Sequence, residues 1–389
     1  MPQRLKFGVF LAPFHRSGTN PTQALSLDLQ LMEQLDRLGY DEAWIGEHHS
    51  AGTEIIGCPE IFIAAAAERT RHLRFGTGVT SIAYHNPLWV ADRMVLLDHL
   101  TRGRVMLGVG PGSLPTDSAM IGLSPTDTRE LMGENLEIIV RLLRGETVNA
   151  QTQTHKLIDA RLQLRPYSEA FEIAVAAVAS PTGPRMAGTH GLGLLSIGAT
   201  LSAEGFDALA SHWSVAEERA RHFGTTMDRR KWRLVSMFHL ADTEEQARQE
   251  VRHGIAYWFE YMQQVAAFPQ MGVKGDTIEQ MIDFITAARV GVIGTAAQAR
   301  EHVQRLVDQS GGFGSMLLMA HNWANRFDTD RSLEIFAREV APHFQGQAAP
   351  TLEAAELARS TRAAHAADQL KAIDHMSRKY QAELDAKNA

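Results

Sequence analysis

Eight short, almost continuously apolar runs recur along the chain, separated by stretches whose apolar residues fall at helical spacing. The runs are KFGVFLA (6–12), EAWIGEH (42–48), RFGTGVTS (74–81), RVMLGVG (104–110), EIAVAAVAS (172–180), GLLSIGA (193–199), WRLVSMFHLA (232–241) and SMLLMAH (315–321). Strands that are apolar on both faces belong to a parallel sheet covered by helices on both sides. Helical patterns at 22–38, 59–70, 88–100, 127–143, 183–189, 203–222, 243–262 and 296–310 supply those helices. Eight such units predict an α/β fold of the (β/α)8 TIM-barrel type rather than a doubly wound open sheet.

Two segments interrupt the alternation. Residues 146–167 read as a hairpin inserted before the fifth strand, and 263–290 as an extra loop and helix. The second contains FPQMGVKG (268–275), rich in loop formers, which is expected to close over the site as a lid. From residue 350 onward a single helix is expected, with Ala363, Ala366, Leu370, Ile373, Ser377, Tyr380 and Leu384 at alternating three- and four-residue steps. That stripe packs either on its own barrel or on a partner subunit, so the expectation is a barrel over 1–345, a helical tail over 346–389, and a homo-oligomer.

Lys and Arg number 38 against 45 Asp and Glu, for a net charge of −7, and no basic block stands out. This gives no electrostatic footprint for nucleic acid or an anionic membrane, and a small-molecule partner is expected instead. One cysteine, Cys58, excludes an intramolecular disulfide. MPQRLKFGVF lacks the apolar region of a signal peptide and no run reaches membrane-spanning length, so the chain reads as cytoplasmic.

The second run ends in WIGEHHS (44–50). In a (β/α)8 barrel the reactive groups sit at the C-terminal ends of strands, which is where this spacing places Glu47, His48 and His49. Read as strand, adjacent imidazoles point to opposite faces, and no HxH or HxxxH spacing lies nearby, so no metal is expected. Proton transfer suits a histidine near neutrality. The alternative is a pair of histidines that merely finishes the strand. Other strand exits bear on the choice: GTGVTS followed by Tyr84-His-Asn-Pro87, Gly108-Val-Gly-Pro-Gly112, and Ala179-Ser-Pro-Thr-Gly183 at a helix start. Missing side chains let a flat ligand approach the backbone, and a helix start can cradle phosphate. Turn chemistry and plain helix capping explain the same residues. Phe14, Trp89, Phe259 and Trp323 fit either a pocket wall or the core.

Taken together, GYDEAWIGEHH (39–49), RFGTGV (74–79), YHNPLWVADRMVLLDHLTRGRVMLGVGPG (84–112), VIGTAAQAREHV (292–303) and QSGGFGSMLLMAHNWA (309–324) agree in order, spacing and content with one family. Over roughly residues 4–345 the chain resembles the bacterial luciferase-like flavin monooxygenases, most of all the limonene and alkanal monooxygenase branch. The resemblance implies a barrel that binds reduced FMN, delivered by a separate flavin reductase. Dioxygen adds at flavin C4a, and one oxygen atom enters a small apolar organic substrate. His48 matches a histidine that handles protons in that chemistry, with Glu47 and His49 as supports. Gly78–Val79 matches a cis peptide packed on the flavin ring, and Ser180 matches a phosphate contact. Gly183 replaces a hydroxyl residue and Pro111 an arginine, so the phosphate site differs, with Thr182 or Arg185 in compensation. Gly110 stands at a reactive cysteine and leaves room beside the ring; Asn86 is grouped with the cofactor-binding residues. Two alternatives remain open, hydride transfer with deazaflavin F420 and a flavin-binding protein without turnover.

Overall fold

The computed structural model describes residues 4–11, 14–178, 180–198, 200, 208–266 and 273–388. Its strands are β1 (Lys6–Leu11), β2 (Glu42–Ile45), β3 (Arg74–Thr77), β4 (Thr80–Ser81), β5 (Val105–Gly110), β6 (Val148–Gln151), β7 (Lys156–Ala160), β8 (Ile173–Ala177), β9 (Gly193–Ser196), β10 (Trp232–Leu240), β11 (Gly291–Gly294) and β12 (Ser315–Met319). The helices are α1 (Pro21–Leu38), α2 (Pro59–Ala67), α3 (Pro87–Thr101), α4 (Pro115–Met120), α5 (Pro125–Leu143), α6 (Thr182–His190), α7 (Ala208–Phe223), α8 (Glu244–Glu250), α9 (Ile255–Gln264), α10 (Ile278–Ala287), α11 (Ala296–Ser310), α12 (Arg326–Ile335), α13 (Ala341–Phe344) and α14 (Ala348–Asn388).

The expected eight runs form the barrel. Parallel pairing runs β1, β2, β3, β5, β8, β9, β10, β12 and back to β1, with Phe10 opposite both Trp44 and Met319. Inward side chains of alternate strand positions, Phe10, Trp44, Met106, Ala174, Leu195, Val235 and Leu317, fill the interior. Trp44 fits because two neighbours lack side chains. A Cβ on Gly76 would lie 2.5 Å from its ring, and one on Gly108 would lie 2.9 Å from it. The N-terminal end of the barrel is closed by charge rather than by apolar volume. Arg233, fully buried, donates to Glu42 at 2.8 and 3.1 Å and to Glu172 at 2.6 Å, with its guanidinium 4.7 Å above the Trp44 ring.

Three departures from the sequence reading have local causes. The four-residue β11 is an added strand on the upper half of β10, pairing Met237 to Leu240 beyond the stretch that β9 occupies. The helix expected over 243–262 breaks into α8, a short turn and α9 at Gly254, whose N–H donates to Trp323 O at 2.7 Å. A Cβ there would sit 1.9 Å from Asn322 O, so close packing on a distant loop fixes the break. The second strand ends at Ile45, which leaves Glu47, His48 and His49 in a loop. The opposite-face argument for the two histidines therefore does not apply. The 146–167 hairpin is present as antiparallel β6 and β7, and the extra helix before Gly294 is α10. Residues 267–272 of the expected lid lie outside the described residues.

The chain falls into two compact units, Leu5–Ala341 and a second beginning at Pro342. The second is dominated by α14, a helix of 41 residues. Along its expected stripe Leu370, Ile373 and Tyr380 are exposed and Leu384 is partly buried. Among the described residues no helix is long and apolar enough to cross a membrane.

Candidate active site

A cavity of about 420 Å3 opens at the C-terminal ends of the barrel strands. Its floor is Phe10, Gly78, Val79, Gly110, Ala176 and Met319, and its walls come from Phe14, Leu114, Ile197, Trp258 and Met262. Polar atoms enter from one side through Glu47, His48, Glu54, Ser81 and Tyr261. Such a mostly apolar pocket with a few convergent polar groups is the usual form of a small-molecule site.

His48 is held between two carboxylates. Its Nδ1 lies 3.2 Å from Asp117 Oδ2, and its Nε2 lies 3.4 Å from Glu54 Oε2. Asp117 stands in the first turn of α4 and also accepts from Ser50 Oγ at 2.5 Å and the His49 N–H at 3.2 Å. Glu54 accepts the Tyr261 hydroxyl at 2.8 Å. Burial by itself would strip the proton from His48. The Glu54 charge, together with the bond and charge of Asp117, outweighs burial and raises its pKa above the ordinary value. Burial pushes Glu54 upward against the opposing pull of His48 and Tyr261. The arrangement is a buried imidazole that keeps a proton beside an apolar cavity.

Glu47 serves a different group. It accepts from His49 Nε2 at 2.9 Å, His85 Nε2 at 2.7 Å and the Ser81 N–H at 2.7 Å, with no bond to His48. The carboxylates in contact with His48 are thus Asp117 and Glu54, while Glu47 acts on it through its charge alone. Burial would raise the Glu47 carboxyl, yet the bonds from His49, His85 and Ser81 hold it at about 2. A carboxylate depressed from 4.5 to about 2 contributes stability that is present above pH 4.5 and lost as pH falls toward 2. The difference corresponds to about 3 kcal/mol. Glu47→Gln should flatten the acid limb of the melting temperature against pH. An acid limb as steep as that of the unmodified chain would remove Glu47 from this role.

The cofactor candidates divide. Gly78, Val79 and Gly110 line the cavity, and the Gly78–Val79 peptide is cis. The room left by Gly110 is taken by protein: a Cβ there would meet Val79 Cγ2 at 2.6 Å. A Cβ on Gly112 would strike the Tyr84 hydroxyl at 2.0 Å. Asn86 lies away from the lining and caps α3, its Oδ1 accepting from Leu88 N at 3.0 Å. Gly183 is buried against β8, where a Cβ would lie 2.1 Å from Ala176 O, so packing explains why no hydroxyl residue stands there. Thr182 and the exposed Ser180 flank the start of α6, whose N-terminal Pro181 makes no side-chain cap, which leaves its first N–H groups open to an anion. Arg185 is exposed and does not line the cavity. Arg129 is the only Lys or Arg among the described lining residues, and sequence reasoning passed over it. Of the four large apolar candidates, Phe14 is in the wall, Trp89 is 54% exposed, and Phe259 and Trp323 are core. Among the described residues no group of three or more His, Cys, Asp or Glu could hold a metal.

These features fit a flavin. Gly78, Val79, Gly110 and Ala176 leave space for a flat ring, an uncapped helix start suits a phosphate, and Arg129 brings a cation to the lining. Comparison with known proteins agrees. The family profile described as luciferase-like monooxygenase matches residues 5–313. Limonene 1,2-monooxygenase from Rhodococcus erythropolis is 47% identical over 90% of this chain and 89% of its own length. 4-Hydroxyprotoasukamycin monooxygenase from Streptomyces nodosus subsp. asukaensis is 43% identical over 88% of this chain and 93% of its own. Among solved structures, the oxygenating constituent of 3,6-diketocamphane monooxygenase from Pseudomonas putida, in complex with FMN, superimposes with a TM-score of 0.73 at 25% identity, covering 88% of this chain and 99% of that one.

Proposed function

The chain belongs to the luciferase-like monooxygenase family, and from that premise we propose that it uses reduced FMN and O2 to put one oxygen atom into a small apolar organic molecule. The observation that carries the proposal is His48, an imidazole between the carboxylates of Asp117 and Glu54 in the wall of an apolar cavity. Reduced FMN, when bound, supplies the two electrons with which one oxygen atom goes to the substrate and the other leaves as water. Gly78, Val79, Gly110 and Ala176 would seat its ring, the start of α6 with Ser180 and Thr182 would hold its phosphate, and Arg129 adds a positive charge to the cavity lining. His48 gives its proton to the departing oxygen and regains one from solvent, and its paired carboxylates keep the ring oriented. Phe14, Leu114 and Trp258 keep water away from the reacting atoms.

The apolar wall and the names of the limonene and diketocamphane oxygenases among its relatives support a cyclic terpene or cyclic ketone as substrate. A separate reductase supplying the flavin, a homo-oligomeric assembly, a cytoplasmic location and a tail dispensable for flavin binding complete the proposal. A product assay tests it: the chain, a flavin reductase, NADH, FMN and O2 are incubated with a panel of terpenes, aldehydes and cyclic ketones. The expected result is a product carrying one added oxygen atom, formed only when the chain is present. Oxidation of reduced flavin by O2 with release of hydrogen peroxide, and no oxygenated product across the panel, would contradict it.

A further inference from the structure

The two carboxylates that flank His48 are not equivalent. Asp117 is engaged at both oxygens: Oδ2 meets His48 Nδ1 at 3.2 Å, and Oδ1 accepts from Ser50 Oγ at 2.5 Å and from the His49 N–H at 3.2 Å. Three donors on one carboxylate favour its charged form. Burial works to raise the Asp117 pKa, yet the bonds from His48 and Ser50 hold it below the ordinary range. An anionic acceptor at Nδ1 keeps that nitrogen protonated, so the proton that His48 exchanges is the one on Nε2.

Glu54 stands on that side and is held differently. Its Oε2 accepts the Tyr261 hydroxyl at 2.8 Å and lies 3.4 Å from His48 Nε2. Its Oε1 has no hydrogen-bond partner among the described residues, and the side chain lines the apolar cavity. A carboxyl with one free oxygen in an apolar wall takes a proton more readily than one that three donors hold. Burial raises the Glu54 pKa and the Asp117 charge adds to it, while His48 and Tyr261 pull it down without reversing the shift. The other ionisable groups around the pair are Glu47 and His49 beside His48, Tyr84, which faces Glu47 and Asp117, and Tyr257, which faces Tyr261.

We infer that Glu54 is the proton partner of His48: it takes a proton from water on the cavity side and returns it to Nε2 after the imidazole has given one away, while Asp117 only orients the ring. The proton enters at the free Oε1, and a turn of the carboxyl about its last bond brings it to Nε2. It passes from water to Glu54, from Glu54 to His48 and from His48 to the acceptor, and no electrons move. The positive charge of His48 is what pulls the Glu54 pKa down. When His48 loses its proton that pull ends, so the carboxyl binds a proton at the moment the imidazole needs one. The use of this exchange in oxygenation rests on the proposed function; the exchange itself does not.

Nuclear magnetic resonance of the full chain without flavin tests it, with nitrogen-labelled histidine and carbon-labelled glutamate carboxyls; the signals lost in His48→Ala and in Glu54→Gln identify the two residues. Each should titrate in two steps, with one step where the other residue titrates, as coupled sites do. In Glu54→Gln the His48 curve should reduce to a single step at lower pH, and exchange of its Nε2 proton with water should slow by about tenfold or more. Glu54→Asp should recover part of that exchange. Asp117→Asn should lower the His48 titration yet leave its coupling to Glu54 in place. A Glu54 signal that titrates alone in the ordinary carboxyl range, or a His48 exchange rate unchanged in Glu54→Gln, overturns the inference. Should Glu54→Gln fail to fold, the titration of the unmodified chain decides alone. None of these readouts depends on turnover, so failure of the oxygenation assay leaves them interpretable.

Discussion

His48→Ala is expected to leave FMN affinity near that of the unmodified chain and to lower oxygenated product by about 100-fold or more, the size of a general acid–base contribution. The proposed flavin seat is lined by Gly78, Val79, Gly110 and Ala176, none of which His48 hydrogen-bonds. What the substitution removes is the imidazole held between Asp117 Oδ2 and Glu54 Oε2. A 100-fold loss corresponds to about 2.7 kcal/mol of barrier. Flavin oxidation should continue, with hydrogen peroxide released in place of product. Because Glu54 and Asp117 hold the imidazole charged above its ordinary pKa, product yield should fall as pH rises through that raised value. Product per reduced flavin unchanged in His48→Ala would remove the residue from the chemistry. A fall in yield matched by loss of FMN binding would make its role structural.

The second large effect concerns the barrel floor. Arg233→Met should destabilise the chain by about 3–5 kcal/mol, because it leaves Glu42 and Glu172 buried without their shared cation. Burial alone would raise the Glu42 carboxyl, and the guanidinium is what holds it down at about 2. After the substitution Lys6 Nζ, at 3.6 Å, is the remaining cation on Glu42, and Arg74 Nη2, at 3.1 Å, the one on Glu172. Trp44 also loses the guanidinium stacked on its ring. Replacing Glu42 by Gln in the same chain should recover part of the loss, since it removes the stranded charge. Thermal unfolding of the single and double variants measures both effects. A loss below about 1 kcal/mol for Arg233→Met would show that the buried pair carries little of the stability.

The architecture was legible because a parallel barrel needs strands that are apolar on both faces, and such runs stand out from amphipathic helices. β11 escaped because GVIG (291–294) is short and glycine-flanked, and it finds its place only where β10 outruns β9. The break at Gly254 depends on a carbonyl at Asn322, far along the chain, so no local pattern announces it. The rim glycines were readable as close approaches, but not the identity of what approaches. At Gly108 it is the Thr77 carbonyl and the Trp44 ring, and at Gly110 and Gly112 it is Val79 and Tyr84 of the protein itself.

The candidate site divides in the same way. A histidine after the second strand pointed to the rim, since topology sets that position. Its partners come from elsewhere, Asp117 on α4 and Tyr261, behind Glu54, on α9, and no spacing rule ties them to His48. Glu47 and His49 were noticed for being adjacent in sequence, yet they form a network with His85 and Ser81. In Tyr84-His-Asn-Pro87 the asparagine drew notice although it caps α3, while the neighbouring histidine bonds Glu47.

The proposed occupant of the cavity beside His48 is reduced FMN. Anaerobic equilibrium titration of the full chain with reduced FMN and, separately, with reduced F420 tests it without reference to any substrate. The account predicts saturable binding of about one reduced FMN per chain at micromolar concentration, with F420 binding far more weakly. Binding of F420 at micromolar concentration with none of reduced FMN would contradict it and assign the barrel to hydride transfer.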